Sequence, residues 1–136
     1  MMGMSNSNVT EMGDLDSWAE AGKRFVEKEI GAEFMGVSIN STEPGGESPF
    51  WHRHSALEEV YIVIDGQGEF ALGDEVLPLA PGTIVRAGRD AWHALRCLPD
   101  SGAPMRWICV RAGGDTLAGV GKDAELDRDR PFPWNA

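Results

Sequence analysis

Short apolar segments separated by turn-forming residues run through most of the chain. The clearest is 59–64, Glu-Val-Tyr-Ile-Val-Ile, which is rich in β-branched residues and ends at Asp65-Gly66, a pair typical of a hairpin turn. Further strands are predicted at 24–30, 34–40, 50–54, 69–72, 76–79, 83–86, 91–98 and 105–111. Seven to nine short strands at this spacing predict an all-β fold, a small antiparallel sandwich or barrel with little helix.

The two ends of the chain differ from this central region. Residues 1–14 are polar and Met-rich, which predicts a disordered N-terminal arm. One short helical turn is predicted at 14–20, and residues 15–114 are expected to form the barrel. Beyond Gly114 the periodicity is lost, so residues 115–136 are predicted to form a C-terminal surface tail, which could pack through Phe132 and Trp134.

Composition narrows the classes of partner. The chain has 136 residues with a net charge of -10, an acidity that argues against binding to nucleic acid or to an anionic membrane. The N-terminus lacks the features of a signal peptide, and no apolar run approaches the roughly 20 residues of a membrane span. Two cysteines are too few for a disulfide framework. A cytoplasmic location is therefore expected.

All three histidines of the chain fall in predicted strands. His52 and His54 are two residues apart, so their imidazoles point to the same side of a strand. Glu59 follows across a bend, and His93 lies on a separate strand. Imidazole nitrogens and a carboxylate suit Zn, Fe, Mn, Ni or Cu. The alternative is that the histidines are structural and simply hydrogen-bonded.

These residues lie in stretches that resemble the two sequence motifs of the cupins. The first cupin motif is Gly, five residues, His-x-His, three or four residues, Glu, six residues and Gly, and residues 46–66 match it at every spaced position. Glu58 is an alternative to Glu59, but the six-residue gap to the closing glycine selects Glu59. The second motif corresponds to residues 82–97. Its spacing and its histidine are kept, whereas Gly88, Asp90 and Cys97 replace the family's Pro, Gly and Asn.

Resemblance to cupins, over about residues 24–112, implies a jelly-roll β-barrel and a ligand set. It implies that His52, His54, Glu59 and His93 bind one divalent transition metal ion. Four protein ligands leave positions open for a chelating substrate, for a carbonyl to be polarised or for oxygen. Cupins include dioxygenases, sugar-phosphate isomerases, epimerases and lyases, and also proteins that bind a small molecule without turnover.

Alternation along the strands predicts the wall of the cavity beside the metal. Each of four residues shares a strand face with a ligand, and part of Met35 or Ile39 is expected to close the wall. These four are Tyr61, Val63, Leu95 and Cys97. Cys97 could look into the pocket as a reactive thiol or be a small buried hydrophobe. One of five arginines could point inward and bind a carboxylate, although an outward position is expected for each singly: Arg53, Arg86, Arg96, Arg106 and Arg111.

The leading interpretation is an enzyme that uses this metal in dioxygenase-like chemistry on a small carboxylate, enol or diketone. The alternatives are a non-catalytic ligand-binding or sensing module, a sugar-phosphate isomerase or epimerase, and a metal-free barrel. A homodimer is also predicted. Trp51 and Trp92 each adjoin a ligand and must point away from the cavity, so another segment or subunit should cover them.

Overall fold

A computed structural model describes residues 8–135 of the chain. Part of the N-terminal arm predicted at 1–14 therefore lies outside the described residues. The strands are β1 (Lys23–Phe25), β2 (Gly36–Thr42), β3 (Trp51–His54), β4 (Glu58–Asp65), β5 (Gly68–Leu72), β6 (Glu75–Leu79), β7 (Ile84–Ala87), β8 (His93–Cys97), β9 (Met105–Ala112) and β10 (Ala124–Asp127). The helices are α1 (Leu15–Ala21), α2 (Leu117–Val120) and a 3-10 turn at Pro133–Asn135.

The strands form two five-stranded antiparallel sheets that face each other. The first sheet has the order β1-β2-β9-β4-β7, and the second has the order β10-β3-β8-β5-β6. All observed pairings are antiparallel. The predicted all-β antiparallel barrel with little helix is confirmed. None of the described helices is long and apolar enough to cross a membrane.

The turn between β4 and β5 shows why the first motif ends on glycine. Gly66 has a φ of 79°, a conformation that side chains other than glycine's seldom adopt. A Cβ at this position would also lie 2.6 Å from the carbonyl oxygen of Pro104. The hairpin therefore needs glycine both for its backbone conformation and for its close packing against the loop before β9.

The main core fills one part of the space between the sheets. It consists of buried side chains from both sheets, namely Tyr61, Val63, Phe70, Leu79, Val85, Ala87, Leu95, Cys97, Met105, Trp107 and Cys109. The rest of the interior is a cavity, and it is there that the histidine side chains meet.

Within the segment 115–136, predicted to be a surface tail, residues 124–127 form a strand of the second sheet. Strand β10 pairs with β3, placing Ala124 opposite His54 and Leu126 opposite His52. The segment 124–127, Ala-Glu-Leu-Asp, contains no β-branched residue and pairs on one edge only. It therefore lacks the composition by which strands are recognised in a sequence.

The end of the chain covers the outer side of the second sheet. Trp51 is 1% exposed and packs against Phe132, with ring centroids 5.9 Å apart. Trp92 and Trp134 are partly buried against the same cluster. The expectation that Trp51 and Trp92 pack under another segment is met within the chain itself, so these two residues supply no reason for a second subunit.

Candidate metal centre

Three imidazole rings converge on one carboxylate oxygen inside the barrel. His52 and His54 come from β3, Glu59 from β4 and His93 from β8. The Nε2 atoms of the histidines lie 3.1, 3.4 and 2.8 Å from Oε1 of Glu59, for His52, His54 and His93 in that order. Ligand atoms of His52, Glu59 and His93 all lie within 4.8 Å of one another, so these three form the tightest group.

The turn before His93 accommodates one of the departures from the second motif. Asp90, where the family has Gly, has a φ of 65°, and aspartate is among the few non-glycine residues that tolerate this conformation. Its backbone N–H donates to the carbonyl oxygen of His54 at 2.7 Å. The turn thus ties the second motif to the first, and His93 keeps its place beside Glu59.

Hydrogen bonds on the far side of two rings set their tautomers. The Nδ1 of His93 lies 2.8 Å from the carbonyl oxygen of Ala91, which can only accept, so this nitrogen donates. In the neutral ring Nε2 then carries a lone pair that faces Glu59. The Nδ1 of His54 lies 2.7 Å from Oδ1 of Asp123 and donates to that carboxylate oxygen, so Nε2 is again the nitrogen that faces Glu59. Histidines that bind a metal through one ring nitrogen usually donate the other ring N–H to a carboxylate or carbonyl oxygen in this way.

The charges at this point fit a bound cation. Burial opposes ionisation of Glu59, but the three surrounding imidazoles outweigh it and lower the pKa of Glu59 well below its usual range. Burial lowers the pKa of His52, which favours its neutral form. An ionised carboxylate therefore lies 2.8 Å from Nε2 of His93, and a cation bound between them would neutralise its charge. The donor set of nitrogens and a carboxylate fits a transition metal.

Asp123 is a functional residue that the sequence analysis missed. Besides its contact with His54, it accepts hydrogen bonds from the backbone N–H groups of Ala56 and Leu57 at 2.7 and 2.8 Å. It therefore fixes both a ligand ring and the bend between β3 and β4. No motif marks it, because it lies in the segment whose periodicity is lost, 69 residues from His54.

A cavity of about 580 Å³ opens beside the four converging side chains. Tyr61 and Leu95 line it, as alternation predicts. The Tyr61 hydroxyl lies 3.1 Å from Oε1 of Glu59 and 3.0 Å from Nε2 of His93. Burial raises the pKa of Tyr61, so its hydroxyl stays protonated.

Val63 and Cys97 do not line this cavity, contrary to prediction. They are 2% and 0% exposed and belong to the packed core. The Cys97 thiol lies near two backbone carbonyls, at 3.7 and 3.8 Å, and is a small buried hydrophobe. Alternation correctly places these side chains on the inner face of their strands. It does not show which inward-facing positions are covered by side chains of the opposite sheet and which border the open cavity.

The predicted contribution of Met35 and Ile39 is also wrong. Met35 is 44% exposed, and Ile39 does not line the cavity. The polar residues of this strand, Ser38 and Asn40, face inward instead. Asn40 Nδ2 donates to Ser38 Oγ at 3.1 Å, which offsets their burial.

Several polar side chains that the pocket prediction did not contain reach the cavity. Cys109, Lys23 and Arg111 line it, and the Cys109 thiol lies 3.2 Å from Oε2 of Glu59. Burial raises the pKa of this thiol. The other four arginines considered earlier pair with carboxylates: Arg53 with Glu125, Arg86 with Glu58, Arg96 with Glu69 and Arg106 with Asp65. Arg111 is thus the arginine of the five that faces the cavity.

Comparison with known proteins agrees with the fold. The family model described as "Cupin domain" matches residues 40–111, which is just over half of the chain, so the chain belongs to the cupin domain family.

Curated relatives and a solved structure extend this comparison. The chain is 33% identical over 102 residues to an L-ectoine synthase from Desulfatibacillum aliphaticivorans, covering 72% of this chain and 70% of that protein. It is 36% identical over 92 residues to an L-ectoine synthase from Oceanobacillus iheyensis, covering 65% of each. A cupin protein from Bacteroides fragilis superposes with a TM-score of 0.71 at 22% identity, over 82% of this chain and 87% of that one.

Proposed function

We propose that this cupin is a mononuclear metalloenzyme that acts on a small carboxylate. The observation that carries the proposal is the convergence of three imidazole nitrogens on one oxygen of Glu59 beside a cavity. His52, His54, Glu59 and His93 would hold one divalent ion of Fe, Mn, Ni, Zn or Cu. The cavity volume of about 580 Å³ is in the range of small-molecule sites.

The residues around the proposed ion indicate the chemistry. When bound, such an ion would polarise a carbonyl or carboxylate oxygen of the substrate as a Lewis acid. The Tyr61 hydroxyl lies within hydrogen-bonding distance of two proposed ligands, where it can donate to a substrate oxygen. Apolar side chains, including Phe50, Phe70 and Trp107, line the cavity and limit access of water. The Tyr61 hydroxyl, a proton donor beside the proposed ion, favours a reaction in which a proton is transferred to or from the substrate.

We therefore place lyase or isomerase chemistry ahead of the dioxygenase-like chemistry that the sequence favoured. Similarity to the L-ectoine synthases is in keeping with an enzyme of small organic acids. The main alternative is a protein that binds the same ligand without turnover. A sugar-phosphate substrate is a further alternative, because two cations, Lys23 and Arg111, reach the cavity.

Solvent exchange tests the proposed reaction class. Protein reloaded with each candidate metal is incubated anaerobically in D₂O with small hydroxy- and amino-carboxylates and with sugar phosphates, and the carbon-bound protons are followed by NMR. We expect deuterium incorporation into a carboxylate, slowed about 100-fold or more in Tyr61→Phe because the positioned donor is lost. Metal content, measured in parallel, should stay unchanged in the variant.

The opposite outcome is also specific. Turnover that requires oxygen, consumes it with the substrate and is unaffected by Tyr61→Phe would restore the dioxygenase interpretation. Saturable binding of a carboxylate without turnover by any metal form would favour the binding module instead.

We also propose that the protein is a homodimer joined through the outer face of the first sheet. Four isoleucines stand side by side across this face in direct register: Ile39 with Ile108, Ile108 with Ile62, and Ile62 with Ile84. Ile84 is 65% exposed, whereas Ile39 at the other end of the row is already buried within the chain. An apolar row of this kind on a sheet face is typical of an interface.

Sedimentation tests this assembly. We expect a dimer for the native chain at micromolar concentration and a monomer for the double variant Ile62→Lys/Ile84→Lys, because two charges would be buried at the interface. Val76→Lys, an exposed β-branched residue on the second sheet, is the control and should remain dimeric. A native chain that sediments as a monomer would refute the proposal.

A further inference from the structure

Two cations lie at one side of the cavity, and of these Arg111 forms a salt bridge with Glu27, whereas Lys23 has no carboxylate within 4 Å among the described residues. The Lys23 ammonium lies 5.4 Å from the centroid of the Trp107 ring and 5.6 Å from that of Phe25. Although the Lys23 side chain is exposed at the cavity mouth, loss of hydration of its ammonium lowers its pKa. The Arg111 guanidinium lies 5.0 Å from the Phe25 centroid, and its nearest described carboxylate is Glu27 at 3.6 Å. Among the described atoms neither cation makes a hydrogen bond.

The position of Arg111 is built into the sheet. In the register of β9 it stands opposite Glu59 on β4 and opposite Gly36 on β2, so it shares the inner face with the metal centre. The guanidinium lies over Gly36, where a Cβ would collide with Cζ and lie 2.7 Å from Nε. Glycine at 36 therefore leaves the space that the guanidinium occupies.

A buried acceptor lies beside these cations. Asn40 is 1% exposed, lines the cavity and pairs across the strands with Lys23. Its Nδ2 lies 3.4 Å from the carbonyl oxygen of Trp107, which only accepts, so the amide is oriented with Nδ2 on that side. Oδ1 then has no hydrogen-bond partner within the described residues. A buried acceptor left in this state calls for a donor from a ligand.

We infer that Lys23, Arg111 and Asn40 form a second subsite, which binds a carboxylate carrying an O–H or N–H group next to it. Lys23 and Arg111 receive the carboxylate, and Asn40 Oδ1 accepts from the neighbouring donor. A phosphate monoester dianion is disfavoured, because its terminal oxygens only accept and one would face Oδ1 of Asn40. The inference rests on the proposed function, in which the other end of the same substrate lies at the metal centre.

Calorimetric titration of the zinc-loaded protein tests the subsite, with L-malate, succinate and, as the phosphate, methyl phosphate as probes. We expect malate to bind more tightly than succinate, which has no hydroxyl group, and both to bind more tightly than phosphate. Lys23→Gln should weaken malate binding about tenfold or more, because a charge-assisted hydrogen bond is lost. Arg24→Gln is the matched control. It removes the same charge at the next position, where Arg24 pairs with Glu29, and should change affinity less than about twofold.

A second variant tests the position of the Arg111 guanidinium without removing a charge. Gly36→Ala should also weaken malate binding, because the added Cβ displaces Arg111. Malate affinity that is unchanged in both Lys23→Gln and Gly36→Ala, or phosphate that binds more tightly than malate, would overturn the inference. Elemental analysis of each protein separates the two proposals. Absence of metal from the zinc-loaded native protein refutes the metal centre, whereas full metal content with insensitive malate binding refutes the subsite alone.

Discussion

Replacing His52 by alanine is expected to weaken the binding of a divalent metal ion by about 100-fold or more, since one of four ligands is lost. His52 is the most exposed of the three imidazoles, with 23% of its side chain accessible. Its removal should therefore leave the fold intact, unlike that of His93, whose side chain is 2% exposed. Competition with a chromophoric chelator for Zn²⁺ or Ni²⁺ measures the change.

The matched control for this variant is Arg53→Ala. Arg53 is the next residue of the same strand, points to the other face and pairs with Glu125 at 2.9 Å. An exposed pair of this kind contributes little, so metal affinity should stay within about twofold of the native value. Equal affinities for the native chain and His52→Ala would show that His52 is not a ligand.

Asp123→Asn is expected to reduce metal affinity about 10- to 100-fold, the usual effect of losing a partner behind a ligating histidine. The native carboxylate accepts from His54 through one oxygen and from the N–H groups of Ala56 and Leu57 through the other. An asparagine keeps one acceptor and turns an NH₂ group toward at least one of these donors. We therefore also expect the free energy of unfolding of the metal-free protein to fall by about 1–3 kcal/mol.

Urea unfolding and metal titration of the same variant measure these two effects separately. Glu125→Gln makes the same change of carboxylate to amide two residues further on, at an exposed side chain, and should alter neither quantity appreciably. Native metal affinity in a folded Asp123→Asn protein would mean that Asp123 supports the bend between β3 and β4 but does not position His54.

The parts of the fold and site that were predictable from sequence are those with short-range signals. The spacing of His52 and His54 places both rings on one strand face, and the gap to Gly66 selects Glu59 over Glu58, which is exposed. Strand β4 was clear because its β-branched residues are confined between turn residues. These signals act over a few residues, and the cupin motifs join them into one site.

The parts that were missed depend on contacts between distant segments. Strand β2 turns Ser38 and Asn40 inward, where hydrogen bonds from Asn40 Nδ2 offset part of the cost of burying side chains that a hydrophobic pattern assigns to the outside. Asp123 reaches His54 through a strand whose sequence carries no β signal. Lys23 reaches the cavity from β1, which lies at the edge of the first sheet and begins one residue before the predicted strand at 24. Each of these positions is fixed by packing between sheets or at an edge, which local periodicity does not encode.

Crystallography of the protein loaded with one metal, with data collected on both sides of that metal's absorption edge, tests the central claim most directly. The account predicts a single anomalous peak per chain, about 2.0–2.3 Å from Nε2 of His52, His54 and His93 and from a carboxylate oxygen of Glu59. A peak elsewhere, or a barrel with full density for these four side chains and no ion after loading, would contradict it.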